Sequence, residues 1–192
     1  RPYHAGLRHL VNRTQASFGS CILVDAHSMP STGLDRDGVA IAEARRTLEA
    51  AGVAVTDATC AILVEPIQGE GGDNHFRDSY LRDLQRMTHD IGALFIVDEV
   101  QTGMGLTGKM WSHEHMGLEP DLLAFGKKMQ ICGMMGGPRL DENTDNVFTS
   151  SSRINSTWGG NLIDMVRGAI CLEVIQEENL VDNAGRMGEE ML

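Results

Sequence analysis

The chain has 192 residues, 42% of them hydrophobic, enough to bury one sizeable core, so a single domain is the default. Its formal net charge of −11 argues against a nucleic-acid partner, since phosphate binders concentrate Lys and Arg. No apolar run reaches the ~18 residues of a membrane span, and the start, Arg1-Pro2-Tyr3-His4, has no signal-peptide core.

In chain order, His4 to Ser17 is expected to be helical, with Leu7, Leu10 and Val11 on one face and Gly19 as its stop. Ser20 to Asp25 is an apolar run of strand length. The stretch Ser28 to Asp37 is rich in turn formers and is the weakest seam of the chain. Val39 to Ala51 is Ala-rich and helical, stopped by Gly52. Cys60 to Glu65 is a second strand-like run, and Asp78 to Ile91 an amphipathic helix with Tyr80, Leu84, Met87 and Ile91 in register. Ala93 to Asp98 and Leu122 to Phe125 are further short runs, and Met134-Met135 begins another. Leu162 to Glu178 closes the series as a long helix. Short apolar runs alternating with amphipathic helices predict an α/β fold, a mostly parallel sheet covered by helices. No internal repeat or low-complexity segment stands out. The four cysteines, Cys21, Cys60, Cys132 and Cys171, lie far apart without a CxxC pair, and are expected to be reduced packing residues of a cytoplasmic protein. The missing initial Met and an end without a turn signal suggest a fragment.

Three of the runs end in chemistry: Glu65-Pro66-Ile67-Gln68-Gly69-Glu70-Gly71-Gly72, Asp98-Glu99-Val100-Gln101-Thr102-Gly103, and Phe125-Gly126-Lys127-Lys128. In open α/β sheets ligands bind outside the carboxyl ends of strands, so carboxylates and a lysine placed there can converge on one pocket. Each also has an ordinary explanation taken singly. Asp98 can simply turn the chain, Glu-Gly-Gly can be a flexible loop, and two lysines at a strand end can extend into water.

Together with Pro120-Asp121 and Ser156-Thr157-Trp158-Gly159-Gly160-Asn161, these motifs resemble, in order and spacing, those of class III (fold-type-I) pyridoxal-phosphate aminotransferases over about residues 37–192. Gly71-Gly72-Asp73-Asn74-His75-Phe76-Arg77, Phe125-Gly126-Lys127-Lys128 and Asn155 to Asn161 are nearest to the variants carried by the lysine 6-aminotransferases. The resemblance implies a part of the large cofactor-binding domain of such an enzyme, with pyridoxal 5'-phosphate (PLP) as cofactor and no metal. It implies transfer of the ε-amino group of L-lysine to 2-oxoglutarate, with ornithine, 4-aminobutyrate or another ω-amino donor as alternatives, and a homodimer.

Lys127 is then the Schiff-base lysine and Asp98 the carboxylate that holds a proton on the pyridine nitrogen. Gln101 lies near the cofactor's phenolic oxygen, and Thr157 offers its hydroxyl and a backbone N–H to the phosphate held by the partner subunit. Glu70 matches a glutamate that pairs with an arginine on the substrate side. Lys128, one residue further, points away from the pocket if strand geometry continues, and is expected to be solvated. The arginine, most of the phosphate cradle and the stacking aromatic are expected in regions outside this sequence, so the piece alone is expected to be weak or inactive as a catalyst.

Residues 1–36 read differently. Arg1 to Leu7 and Cys21 to Ser31 resemble a portion of N-formylglutamate amidohydrolase, in which His27 would match a zinc ligand. The expectation is an N-terminal segment 1–36 of other family character, joined near Gly33 to an aminotransferase part, 37–192. Two further readings accompany it: a zinc amidohydrolase, and a non-catalytic remnant that keeps the sheet but has lost the reaction.

Overall fold

The structure is a computed structural model that describes residues 22–25, 46, 48–50, 52, 55–56, 58–70, 72–151, 153, 157 and 159–192. The expected helix His4–Ser17, the seam Ser28–Asp37, the junction near Gly33, His27 and most of the helix Val39–Ala51 lie outside the described residues.

Five strands form one sheet in the order β1-β2-β3-β4-β5: β1 (Ile22–Asp25), β2 (Thr59–Val64), β3 (Leu94–Asp98), β4 (Leu122–Phe125) and β5 (Gly133–Gly136). β1 and β2 pair in parallel, and β5 turns back antiparallel to β4. The helices are α1 (Asp78–Asp90), the short α2 (His113–Met116), α3 (Leu162–Glu177) and α4 (Leu180–Met191). This is the expected α/β architecture, with strand bounds within two residues of those the apolar runs predict. The chain divides into two compact units, Arg1–Ile96 and Val97–Leu192.

In the first unit, α1 buries Tyr80, Leu81, Leu84, Met87 and Thr88, the i, i+4, i+7 face expected of it. Its C-terminus is closed by Gly92 at φ 74°, a left-handed position that glycine takes without a side-chain clash. Ile62 and Val64 of β2 and Phe95 of β3 are almost fully buried. Cys60 is disulfide-bonded, which corrects the expectation of four reduced cysteines; Cys132 and Cys171 of the second unit are free.

In the second unit, β4 and β5 run in register from Leu122↔Gly136 to Phe125↔Gly133. A Cβ on Gly133 would come within 2.5 Å of the Phe125 ring, so the strand facing this aromatic must carry a glycine there. Asp121, 3% exposed, anchors the start of β4 through Arg139 Nη1 at 2.8 Å, while its carbonyl accepts the Gly137 N–H at 2.8 Å. That gives the Pro120-Asp121 motif a structural task. Asn161 caps α3 by accepting the Ile163 N–H at 2.9 Å, and Asn179 at φ 50° separates α3 from α4. Helix α4, which the sequence reading did not anticipate, approaches the loop after residue 103 backbone to backbone. A Cβ on Gly108 would meet the Gly185 Cα at 2.8 Å.

The connection from β3 to α2 is fixed by one buried anion. Glu99 is 1% exposed, and its carboxylate accepts from Thr102 Oγ1 at 2.7 Å, Ser112 N at 3.0 Å, His113 N at 2.7 Å and His113 Nδ1 at 3.0 Å. Its own N–H donates to the Ala124 carbonyl at 2.8 Å, tying the turn to β4. Burial pushes the Glu99 carboxyl upward, but hydrogen bonds from the His113 side chain, Thr102 and the backbone of His113 and Ser112 outweigh it and hold the group below its ordinary value.

Two outcomes follow for stability. Phe95→Ala removes a fully buried ring from β3 and should cost about 3–5 kcal/mol in urea unfolding. Because the Glu99 carboxyl is depressed in the folded state, its stabilisation is complete above the ordinary glutamate range of about pH 4.3 and is lost as pH falls through the lower folded value. Glu99→Gln should therefore lower neutral-pH stability by about 1–3 kcal/mol and flatten the acid limb of the stability profile, read as melting temperature against pH.

Candidate active site

Two strand ends in the second unit carry the chemistry. After β3 the chain makes a tight turn: the Val100 N–H donates to Asp98 Oδ1 at 2.9 Å and the Gly103 N–H to the Glu99 carbonyl at 2.9 Å. Asp98 is half-buried at the strand end, and does turn the chain, so the ordinary explanation holds alongside any functional one. Gly103 is forced by its surroundings, since a Cβ there would lie 2.7 Å from the Trp111 ring and 2.8 Å from the Glu99 carbonyl oxygen.

After β4 the extended backbone stops at Phe125. Residues 127–130 form a turn in which the Met129 N–H donates to the Gly126 carbonyl at 2.9 Å and Gln130 Nε2 to the Lys127 carbonyl at 2.9 Å. Gly126 is packed against Cys132, whose Sγ would sit 2.9 Å from an added Cβ. From this turn Lys127 Nζ donates to Gln101 Oε1 at 2.6 Å. Lys127 is exposed, and this hydrogen-bond partner is an uncharged amide.

Lys128 departs from expectation. Strand alternation would have sent it away from its neighbour, but the strand has already ended, and its amine also reaches Gln101, donating to the backbone carbonyl. It is half-buried rather than solvated. Burial, and then the adjacent Lys127 charge, lower the tendency of the Lys128 amine to hold its proton.

The structure thus brings Asp98, Gln101, Lys127 and Lys128 onto two adjoining turns of one unit. Glu70 belongs to the other unit, exposed at the tip of a hairpin-like loop. That loop is closed by the Ile67↔His75 bridge, by Gln68 N to the Asn74 carbonyl at 3.0 Å, and by Asn74 Nδ2 to Gln68 Oε1 at 2.7 Å. Gly72 at φ 117° and Asp73 at φ 53° make the reversal. Thr157 is exposed in a turn, with its neighbours 154–156 and 158 outside the described residues. Among the described residues no cluster of three or more His, Cys, Asp or Glu is arranged to hold a metal ion.

Sequence reasoning missed the Glu99–His113 pair. The Asp98-Glu99 doublet was the available signal, but the donors that give Glu99 its meaning stand 13 and 14 residues later, beyond any local pattern.

The class-III aminotransferase family matches residues 7–192. The chain is 53% identical over 148 residues to the L-lysine-epsilon aminotransferase of Streptomyces clavuligerus, covering 76% of this chain and 32% of that protein. It is 41% identical over 133 residues to human mitochondrial 4-aminobutyrate aminotransferase, covering 68% of this chain and 25% of that one. The solved lysine aminotransferase from M. tuberculosis superposes with a TM-score of 0.71 at 43% identity, over 82% of this chain and 38% of that one. The chain spans about a third of the length of the curated lysine aminotransferases it matches. The family match runs through Cys21 to Ser31, the longer of the two stretches that resembled N-formylglutamate amidohydrolase, and that resemblance is unsupported. The chain belongs to the class-III aminotransferase family.

Proposed function

We propose that this chain forms part of a PLP-dependent transaminase that moves the ε-amino group of L-lysine to 2-oxoglutarate. The observation that carries the reading is the exposed Lys127 amine, held 2.6 Å from Gln101 Oε1 on the turn adjoining Asp98. The lysine donor is favoured by relatives named L-lysine-epsilon aminotransferase at 48–54% identity, against 41% for the human 4-aminobutyrate enzyme.

The donor set fits the cofactor. An amine that is to bond an aldehyde must be accessible and not locked in an ion pair, and Lys127 is exposed with an amide as its acceptor. A carboxylate half-buried at a neighbouring strand end suits a protonated ring nitrogen. When bound, PLP supplies an electron sink for charge that develops on the substrate carbon. Lys127 would hold the cofactor covalently and then, as a free amine, carry a proton to and from the reacting carbon. Asp98 would keep the proton on the ring nitrogen, and its turn bond from Val100 fixes the carboxylate's direction. Gln101 would face the phenolic oxygen, Thr157 would serve the phosphate held by a partner subunit, and Glu70 would act on the substrate side.

A homodimer is part of the reading. Helix α3 exposes Leu162, Ile163, Met165, Val166 and Ile170, an apolar surface of the kind that marks an interface. A cytoplasmic location belongs to the same reading; the free thiols of Cys132 and Cys171 accord with it, whereas the Cys60 disulfide favours an oxidising compartment.

Three outcomes test the reading. In an enzyme completed with the remaining segments of its relatives, borohydride added after PLP should fix the cofactor to Lys127, as read by peptide mass spectrometry, and Lys127→Ala should abolish that label and turnover; label spread over other lysines would refute the role. In the enzyme completed with the remaining segments of its relatives, Asp98→Asn should reduce turnover at least tenfold, about 1.4 kcal/mol of barrier, while cofactor affinity changes little. Sedimentation should give a dimer that Val166→Lys on α3 dissociates; a dimer unchanged by that substitution would remove α3 from the interface.

A further inference from the structure

We propose that Lys128 is a positioning residue, which holds Gln101 by its backbone carbonyl so that the side chain of Gln101 stays in place when Lys127 leaves it. Its consequence for the reaction rests on the roles given above to Lys127 and Gln101, whereas the clasp itself is a property of this chain's own residues.

The geometry starts from the end of β4. In a strand, neighbouring side chains lie on opposite faces, and two adjacent lysines could not serve one acceptor residue. Beyond Phe125 the backbone has left the strand for the 127–130 turn, closed by Met129 N to the Gly126 carbonyl and by Gln130, itself at φ 60°. In such a turn successive side chains no longer alternate between opposite faces. Both amines therefore reach the same residue, Lys127 the amide oxygen at 2.6 Å and Lys128 the main-chain oxygen.

The two contacts are not equivalent. Lys127 is exposed, and the bond it makes is one it must surrender in order to react. Lys128 is half-buried on a carbonyl, a charge-assisted bond with no competing chemical duty. Burial and the Lys127 charge both disfavour its ammonium, a cost that an amine extended into water would not carry. The rest of the turn is fixed on either side of Gln101: Val100 donates to Asp98, and Thr102 and Gly103 donate to Glu99. Lys128 supplies the anchor for the residue between them. Once Lys127 is engaged elsewhere, Lys128 is the amine that remains on Gln101.

The test uses the 192-residue chain with Lys128→Met, Lys128→Arg, Gln101→Ala and the Lys128→Met/Gln101→Ala double variant. Without cofactor, hydrogen exchange at the amides of residues 100–103 should quicken about tenfold in Lys128→Met, the loss of roughly one hydrogen bond. It should return to the wild-type rate in Lys128→Arg, with α1 unchanged in both. Exchange in Lys128→Met equal to wild type would overturn the clasp whatever the cofactor does, and so would faster exchange throughout the molecule. With PLP added, Lys128→Met should still be labelled on Lys127 by borohydride, and its bound-cofactor absorbance should shift as it does in Gln101→Ala. The double variant should shift no further, because Lys128 acts through Gln101. Additive shifts, or no shift in Lys128→Met, would also overturn the proposal. Failure of the wild-type chain to be labelled on Lys127, with label recovered in the completed enzyme, would instead show that segments outside this chain limit cofactor binding, and the exchange result would still decide the clasp.

Discussion

A carboxylate taken out of water is tolerated only when its lost hydration is replaced, and Glu99 shows what that replacement builds. The anion, 1% exposed, draws a hydroxyl, an imidazole and two backbone N–H groups around itself. The two N–H groups come from the residues that open α2, so a charge at the end of β3 sets where the next helix begins. Thr102 comes from the turn between them. The two residues read as functional, Asp98 and Gln101, therefore flank a point that cannot shift without stripping a buried charge of its partners. Through its own N–H the same residue is joined to Ala124 of β4, two residues before Gly126, from which the lysine turn springs. The distance between the two chemical turns is thus set by backbone and buried polar bonds rather than by long side chains.

That arrangement separates rigidity from reactivity. The groups that hold the site, Glu99, Asp121 and Gly103, are buried, and each is matched to a partner or a ring. Lys127 is exposed, and its hydrogen bond to an amide can be exchanged at little cost. A covalent lysine needs this combination: its turn must not wander, and its amine must not be trapped.

Much of this was legible in the sequence because the signals were local. Strand-length apolar runs gave β1 to β4, the 3.6-residue period of Tyr80, Leu84 and Met87 gave α1, and Lys127, Asp98 and Gln101 stood in motifs whose order matched a family. What was not legible depended on distant partners or on where a strand stops. The direction of Lys128 turned on whether β4 continues for two residues past Phe125, which the apolar pattern could not decide because Gly126 suits either course. Glu99 takes its imidazole and both its backbone donors from Ser112 and His113, 13 and 14 residues on, and Asp121 is held by Arg139, 18 residues on. Helix α4 carries glycines at 185 and 188 that argue against a helix by propensity, and it lies against the preceding loop because Gly108 has no Cβ to meet the Gly185 Cα. The Cys60 bond was missed because the apolar surroundings of the cysteines suggested packing alone.

The indole of Trp111 lies where these supports meet. Its ring rests on Gly103, at the end of the turn that holds Gln101, and its centroid is 6.0 Å from that of Phe125, the last residue of β4. One of only two tryptophans in the chain, it is wedged between the carboxylate turn and the lysine turn. The protein therefore carries an intrinsic fluorophore at its candidate site, whose emission registers any parting of the two turns without an attached label.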